Sequence, residues 1–288
     1  MFSFEVYPPK KTAAIEVVYT AVQELVQLQP DYVSVTYGAG GGAATLAATV
    51  EICTLIKNVY GIDTVAHLPG INLKREEVDS LLVRLRAHKI MDILALRGDR
   101  RPEDDEVIQD GDFAFASELV EYIRGREGGQ DFKISAACYP EVHGEAASAE
   151  EDLAHLKTKV DAGTSLLISQ LFFDNEAFFR FVGRARDAGI TVPIQAGIMP
   201  LTSPKQCAHI IKLCNPSVPA ELQNLIDKYQ HDSVAFREAG IDYAIRQIAG
   251  LAEQVIDGVH LYTMNNPKTA KAITDAVYPL LGREIKLG

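Results

Sequence analysis

The run Phe2-Ser3-Phe4-Glu5-Val6-Tyr7 places one carboxylate inside an apolar, β-prone stretch. A carboxyl group there is costly if buried and unpaired, and its ordinary reading is a partly solvated strand end. Its chemical reading is a proton donor, because an acid held in apolar surroundings is a common general acid. Further on, the apolar run 92–97 ends in Arg97-Gly98-Asp99, and Asp99 enters the charged stretch RGDRRPEDDE. Solvation is the default for Asp99, although its place directly after the run favours a role in a site. His67 closes another apolar run. A satisfied structural histidine is the commoner reading, and no second histidine stands at metal-ligand spacing, so no metal site is expected. His143 could equally cap a helix, and Asp152, His155 and Lys159 share a helical face that reads as solvated ion pairs. Gln170 is more pointed: it stands in the apolar run SLLISQLF, and a buried amide must find partners, which a bidentate ligand would supply.

The segment Gly38-Ala39-Gly40-Gly41-Gly42-Ala43 fits G-x-G-x-x-G/A after an alternating apolar run, the form of a dinucleotide-binding turn. A Rossmann turn also needs an acidic residue about 20 residues on, at the end of the next strand, to hold the ribose. Here the next strand, TVAHL, ends in His67 and Leu68, and Asp63 lies at its wrong end. The fingerprint also follows the second strand, not the first. The Rossmann reading fails on context.

These residues sit in strands and helices that alternate along the whole chain. Strands are expected over 2–7, 32–37, 64–68, 92–97, 133–139, 165–172, 192–198 and 258–263. Between them lie segments of helical period such as EDLAHLKTKVDAG, where Leu153, Leu156 and Val160 form an i, i+3, i+7 stripe. Gly61, Gly163 and Gly189 close helices before the next strand. Eight strands, each followed by helix, predict a single (β/α)8 TIM barrel of the α/β class, with extra helices between strands 7 and 8 in the segment 199–257. In such a barrel the active site lies at the C-terminal strand ends, where the residues named above gather.

The chain has 288 residues, 47% hydrophobic and 23% charged, enough to bury about three quarters of its unfolded surface. A net charge of −11 argues against a nucleic-acid binder, which needs Lys and Arg for phosphates, so any anionic ligand must be met by local positive groups. Cys53, Cys138, Cys207 and Cys214 show no C-x-x-C pair and are expected as buried thiols in a reducing cytoplasm. No signal peptide and no apolar stretch of membrane-spanning length is present, so a soluble cytoplasmic protein is expected.

Taken in order, SFEVYPPK, DYVSVTYGAGG, AHL, DILALRGD, AACYPEVHGEA, DLAHLKTKVDAG, SQLFFD, GIMPLTS and HLYTMN resemble the bacterial methylenetetrahydrofolate reductases over residues 3 to about 265. These are flavoproteins built on a (β/α)8 barrel. The resemblance implies FAD as cofactor and reduction of 5,10-methylenetetrahydrofolate to 5-methyltetrahydrofolate by NADH or NADPH in a ping-pong scheme. By position it sets Thr36, His67, Leu96, Arg97, Gly98, Asp99, Ala116, Tyr139, His143, Asp152 and Lys159 around the FAD. It makes Glu5 the general acid that helps open the folate's five-membered ring and gives Asp99 the developing positive charge to stabilise. It assigns Gln170, Gln206 and Tyr262 to the folate, and it implies a homo-oligomer.

The chain also departs from the family. Asn266 stands where many members have Arg, with Lys268 a candidate substitute for a contact to the folate tail. His155 and Thr158 replace more usual Asn and basic residues, and Phe115 a frequent Tyr. The chain stops after the last expected helix, so a single catalytic barrel over 1–288 is expected, without a C-terminal regulatory domain or control by S-adenosylmethionine. Two rival readings are a pterin-handling methyltransferase without flavin and a non-catalytic folate-binding barrel.

Overall fold

The computed structural model describes residues 1–9, 15–37, 43–71, 73–98 and 111–284, without the side chains of 43–45. Most of the glycine-rich turn and Asp99 lie outside the described residues. The eight strands are β1 (Phe2–Val6), β2 (Tyr32–Val35), β3 (Asp63–Pro69), β4 (Asp92–Leu96), β5 (Lys133–Cys138), β6 (Leu166–Ser169), β7 (Ile194–Ile198) and β8 (Gly258–Tyr262). They form a closed barrel in chain order. Every neighbouring pair is parallel, and β8 returns to β1 with Ser3 opposite His260 and Glu5 opposite Tyr262.

Helices α1 (Ile15–Val26), α2 (Ala43–Tyr60), α3 (Arg75–Ala87), α4 (Ala116–Arg124), α5 (Ala149–Asp161) and α6 (Asn175–Asp187) follow the first six strands. Between β7 and β8 lie α7 (Pro204–Cys214), α8 (Ala220–Tyr229) and α9 (Ser233–Ala252), and α10 (Pro267–Val277) follows β8. Several helices begin on a side-chain cap: Ser148, Asp174, Ser203, Asp232 and Asn266 each accept a backbone N–H from the first turn. Pro204 and Pro267 take the first turn, where a missing N–H costs nothing. Gly61, Gly163 and Gly189 have left-handed φ at the ends expected for them. Among the described residues no helix is long and apolar enough to cross a membrane.

Successive strand residues face opposite sides of the sheet, and here the two sides differ in chemistry. The outward residues, among them Phe2, Phe4, Val33, Val35, Leu68, Ile93, Ile134, Leu167, Ile198 and Leu261, merge with helix residues such as Val22, Ile56, Leu85 and Phe178 into one apolar cluster. Each large side chain buried there contributes roughly 1.5–3 kcal/mol. The inward residues include Ser3, Glu5, Tyr32, Ser34, His67, Gln195, His260 and Tyr262. A small apolar group of Tyr32, Val65, Leu94 and Ile168 sits among them.

Strands β6 and β7 are shorter than their apolar runs for identifiable reasons. The run 165–172 supplies β6 only over Leu166–Ser169, because Leu171 to Phe173 leave the sheet to pack under helices. Phe172 stacks on Phe178 with ring centroids 4.9 Å apart. Gln247 and Tyr243 on α9 donate to the carbonyls of Phe172 and Phe173, each at 2.8 Å. β7 starts at Ile194 rather than 192, after Pro193, which has no N–H for the ladder.

Candidate active site

β1 delivers Glu5 to the C-terminal half of the barrel interior. Its Oε2 lies 3.6 Å from His67 Nε2 on β3 and 3.6 Å from His260 Nε2 on β8, just beyond hydrogen-bond range. Burial pushes the His67 imidazole down to about 4, with the Glu5 charge partly opposing it, so His67 is neutral near pH 7. Its Nε2 is buried and has no hydrogen-bond partner in the protein, an unpaired polar atom that a ligand would satisfy. His260 is fully buried, with Nδ1 2.7 Å from Ser3 Oγ and Nε2 3.3 Å from Ser34 Oγ.

The residues after β8 pin the strand end that carries Glu5. Thr263 Oγ1 donates to the Glu5 carbonyl at 2.6 Å. The Asn265 side chain pairs with the Tyr7 backbone in both directions, accepting at 3.0 Å and donating at 2.8 Å. Asn265 holds a left-handed φ of 51° to do so, a conformation asparagine tolerates better than most residues.

Across the barrel, the ends of β4 and β5 and the start of α5 supply charge. Arg97 makes a two-point salt bridge to Glu145, one contact at 2.8 Å. Gly98 turns the chain at φ 95°, where a Cβ would meet Ile71 at 2.8 Å, so only glycine fits. The Tyr139 ring stands edge-on to His143 at 4.6 Å. His143 Nδ1 accepts the Glu145 N–H at 3.1 Å. Burial and the Arg97 charge lower the His143 pKa, so the ring is neutral with its proton on Nε2. The Asp152 carboxylate accepts the backbone N–H of His143 at 3.1 Å. Lys159 reaches inward from α5 and donates to the Ala137 carbonyl at 2.6 Å; burial lowers its pKa while Cys138 and Asp152 oppose the shift.

On the β6–β8 side, the Tyr262 hydroxyl donates to the Ser169 carbonyl at 2.8 Å. Burial raises the Tyr262 pKa well above the usual phenol value, so it remains a donor. Gly197 makes room for this ring, because a Cβ there would meet the Tyr262 hydroxyl at 2.8 Å and the Ser169 carbonyl at 2.2 Å. Gln170 turns its amide oxygen to the Leu171 N–H at 2.9 Å, which leaves its NH2 as the outer end of the side chain.

These groups converge on one cavity of about 620 Å³, lined by Glu5, His67, Arg97, Lys159, Gln170 and Tyr262. Thr36, Leu96, Gly98, Ala116, Tyr139, His143 and Asp152 line it too. The structure thus brings together every described residue expected in the site except Gln206. Gln206 lies in the first turn of α7. Its amide oxygen accepts from the Thr202 N–H and hydroxyl, each at 2.8 Å, and its NH2 donates to the Pro200 carbonyl at 3.3 Å. There it fastens the 199–203 loop and does not line the cavity.

The positions that depart from the family pattern are also placed. Asn266 caps α10 by accepting the Thr269 N–H. His155, Thr158 and Phe115 line the cavity, the Phe115 ring 6.3 Å from that of His155.

The family model described as methylenetetrahydrofolate reductase matches residues 1–278. The chain belongs to the methylenetetrahydrofolate reductase family. Among relatives of this family, 5,10-methylenetetrahydrofolate reductase of Escherichia coli is 34% identical over 271 residues, covering 94% of this chain and 88% of the relative. Methylenetetrahydrofolate reductase (NADH) 1 of Arabidopsis thaliana is 36% identical over 282 residues, 94% of this chain and 47% of the relative. The chain therefore spans about half the length of the plant relatives it matches. A Clostridium thermocellum protein whose structure binds two copies of 5-methyl-5,6,7,8-tetrahydrofolic acid superposes with a TM-score of 0.68 at 14% identity, over 96% of this chain and 93% of that one. That likeness bears on the fold alone.

For a member of this family, sequence reasoning missed three features of the site. Glu145, the partner of Arg97, looks like one more acid in a helix-leading loop. Ser3 and His260 lie far apart in sequence, and only the β1–β8 register joins them. Alternation offered the one available signal, since Ser3 shares the parity of Glu5, and His260 that of Tyr262.

Proposed function

We propose that the chain reduces 5,10-methylenetetrahydrofolate to 5-methyltetrahydrofolate, with FAD as cofactor and NADH or NADPH as hydride donor, the two substrates using one cavity in turn in a ping-pong scheme. Residues 1–288 act as a single catalytic barrel, and free thiols at all four cysteines suit a reducing compartment. The observation that carries the reading is the convergence of Glu5, Arg97, Lys159, Gln170 and Tyr262 on one cavity in a chain of this family.

The residues present fit FAD. The orphaned His67 Nε2 and the His143 Nε2–H offer polar contacts. Arg97 and Lys159 provide local positive charge for an anionic dinucleotide on a protein of net charge −11. Thr36, Leu96, Gly98, Ala116, Tyr139 and Asp152 complete the lining, with Asp99 following Gly98 in sequence. Bound there, FAD would supply hydride transfer between nicotinamide and folate, chemistry that amino-acid side chains do not perform.

The protein's own share is orientation and proton delivery. Glu5 acts as the general acid, giving a proton to the ring nitrogen that leaves as the folate's five-membered ring opens. The C–N bond electrons go to that nitrogen, and the remaining iminium carbon becomes the hydride acceptor. Asp99 stabilises positive charge on the folate. Gln170 offers its free NH2 to the pterin, and the Tyr262 ring, fixed by Ser169, forms a wall for it.

Glu5→Gln tests this reading. The variant is expected to let NAD(P)H bleach the flavin absorbance at the normal rate while folate reduction falls by about 10²–10⁴. Equal loss in both half-reactions, or none in the second, contradicts the role of Glu5.

A further inference from the structure

The end of β6 is tied to its neighbours by a side chain where the backbone ladder stops. β6 and β7 pair only at Leu167 opposite Ile194 and Ile168 opposite Gln195, while β7 stays paired with β8 through Ile198. The next residue of β6, Ser169, is fully buried and uses both capacities of its hydroxyl. Its Oγ accepts the Gly197 N–H from β7 at 2.9 Å and donates to the Gln170 carbonyl at 2.9 Å. With the ladder ended, the Gly197 N–H thus goes to a hydroxyl rather than to a β6 carbonyl. The Ser169 carbonyl is taken instead by the Tyr262 hydroxyl of β8, at 2.8 Å.

The consequence falls on Gln170. Its N–H donates to the Cys138 carbonyl on β5 at 2.7 Å, and its carbonyl takes the Ser169 proton. Both backbone polar groups of Gln170 are thereby held, one by β5 and one by Ser169. Its side-chain oxygen is held in turn by the Leu171 N–H, so the amide inherits its direction from the backbone. Ser169 borders the cavity beside Gln170 and Tyr262, but a hydroxyl has one proton to donate, and here it goes to Gln170. Removing that hydroxyl would strip the Gly197 N–H and the Gln170 carbonyl of a partner at once.

We propose that Ser169 is a positioning residue of the folate site: its hydroxyl stitches the end of β6 to β7, and through that stitch it sets Gln170 and Tyr262 for the pterin. The proposal rests on the reading of Gln170 and Tyr262 as folate contacts given above. It assigns work to a serine that acts on the ligand through its neighbours, one on its own strand end and one on β8.

The test is calorimetric titration of the flavin-loaded protein with 5-methyltetrahydrofolate, for the wild type, Ser169→Ala, Gln170→Ala and the double variant. Ser169→Ala is expected to weaken binding about 3- to 10-fold, the size of one ordinary hydrogen bond, with FAD affinity unchanged. In the Gln170→Ala background the same change should weaken binding by less than about 2-fold, because residues acting through one contact do not add. Should the alanine variant not fold, Ser169→Thr and Ser169→Val carry the comparison, being alike in shape and different in the hydroxyl. The threonine variant is then expected to bind folate as the wild type does, and the valine variant to show the loss. Unchanged binding in Ser169→Ala, a parallel loss of FAD affinity, an equal loss in both backgrounds, or the same binding in the threonine and valine variants overturns the proposal. If Gln170→Ala itself leaves folate binding unchanged, the reading of Gln170 falls instead, and the role of Ser169 with it.

Discussion

The two faces of the same eight strands do different work. Outside the barrel, residues such as Phe4, Val35, Leu68, Ile134 and Leu261 pack against helix residues in one hydrocarbon layer. Inside, where branched aliphatic side chains fill most barrels, Ser3, Glu5, Tyr32, Ser34, His67, Gln195 and His260 take alternate positions on those strands, and Val65, Leu94 and Ile168 form a small apolar plug with Tyr32, against which Leu96 and Leu166 pack. Polar groups cost free energy when buried, and of these Glu5 and His67 line the cavity at one end of the barrel. The outer face holds the strands in register, and that register brings Glu5, His67 and His260 together.

If this division is right, substitutions on the two faces should fail in different ways. Leu85→Ala, on α3 and fully buried in the outer layer, should cost about 2–5 kcal/mol of stability and leave turnover per folded molecule unchanged. Chemical denaturation with parallel assays would show it, and a catalytic defect without loss of stability would break the comparison. The interior should instead make stability depend on pH. His67 titrates near 6.5 when unfolded but at about 4 in the fold. Between those values the unfolded chain binds the extra proton, so the stabilising contribution is complete above pH 6.5 and lost as pH falls toward 4. The linkage amounts to about 3 kcal/mol, and denaturation midpoints across that range should fall less steeply in His67→Gln.

A smaller effect is expected where the interior meets the proposed cofactor. Lys159→Met keeps most of the buried stem but removes the ammonium that donates to Ala137. FAD affinity should weaken by about 1.5–3 kcal/mol, roughly 10- to 150-fold, as read by fluorescence titration of the stripped protein. Unchanged affinity would take Lys159 out of the cofactor site.

The outer layer was the legible half. Continuous apolar runs, helical stripes and helix-ending glycines place all eight strands, because the hydrophobic effect writes outer packing into local periodicity. The run 165–172 shows the limit: Phe172 and Phe173 are as apolar as strand residues, but α9 captures their carbonyls. The site was readable where a polar residue interrupts an apolar run, as Glu5 and Gln170 do. Its partnerships were not, because the Arg97–Glu145 pair and the Ser3–His260 contact depend on which strand lies beside which. Gln206 carries the reverse lesson: an amide expected at the ligand is used by its own loop.

The central claim is that the cavity on the polar face holds a flavin that passes hydride from NAD(P)H to folate. Its most direct test is the visible spectrum of the purified, FAD-supplied protein during anaerobic addition of NADH or NADPH and then 5,10-methylenetetrahydrofolate. The account predicts a yellow protein that bleaches with the nicotinamide and regains its colour as 5-methyltetrahydrofolate forms. A protein that takes up no flavin, or one whose bleached flavin the folate leaves unchanged, would contradict it.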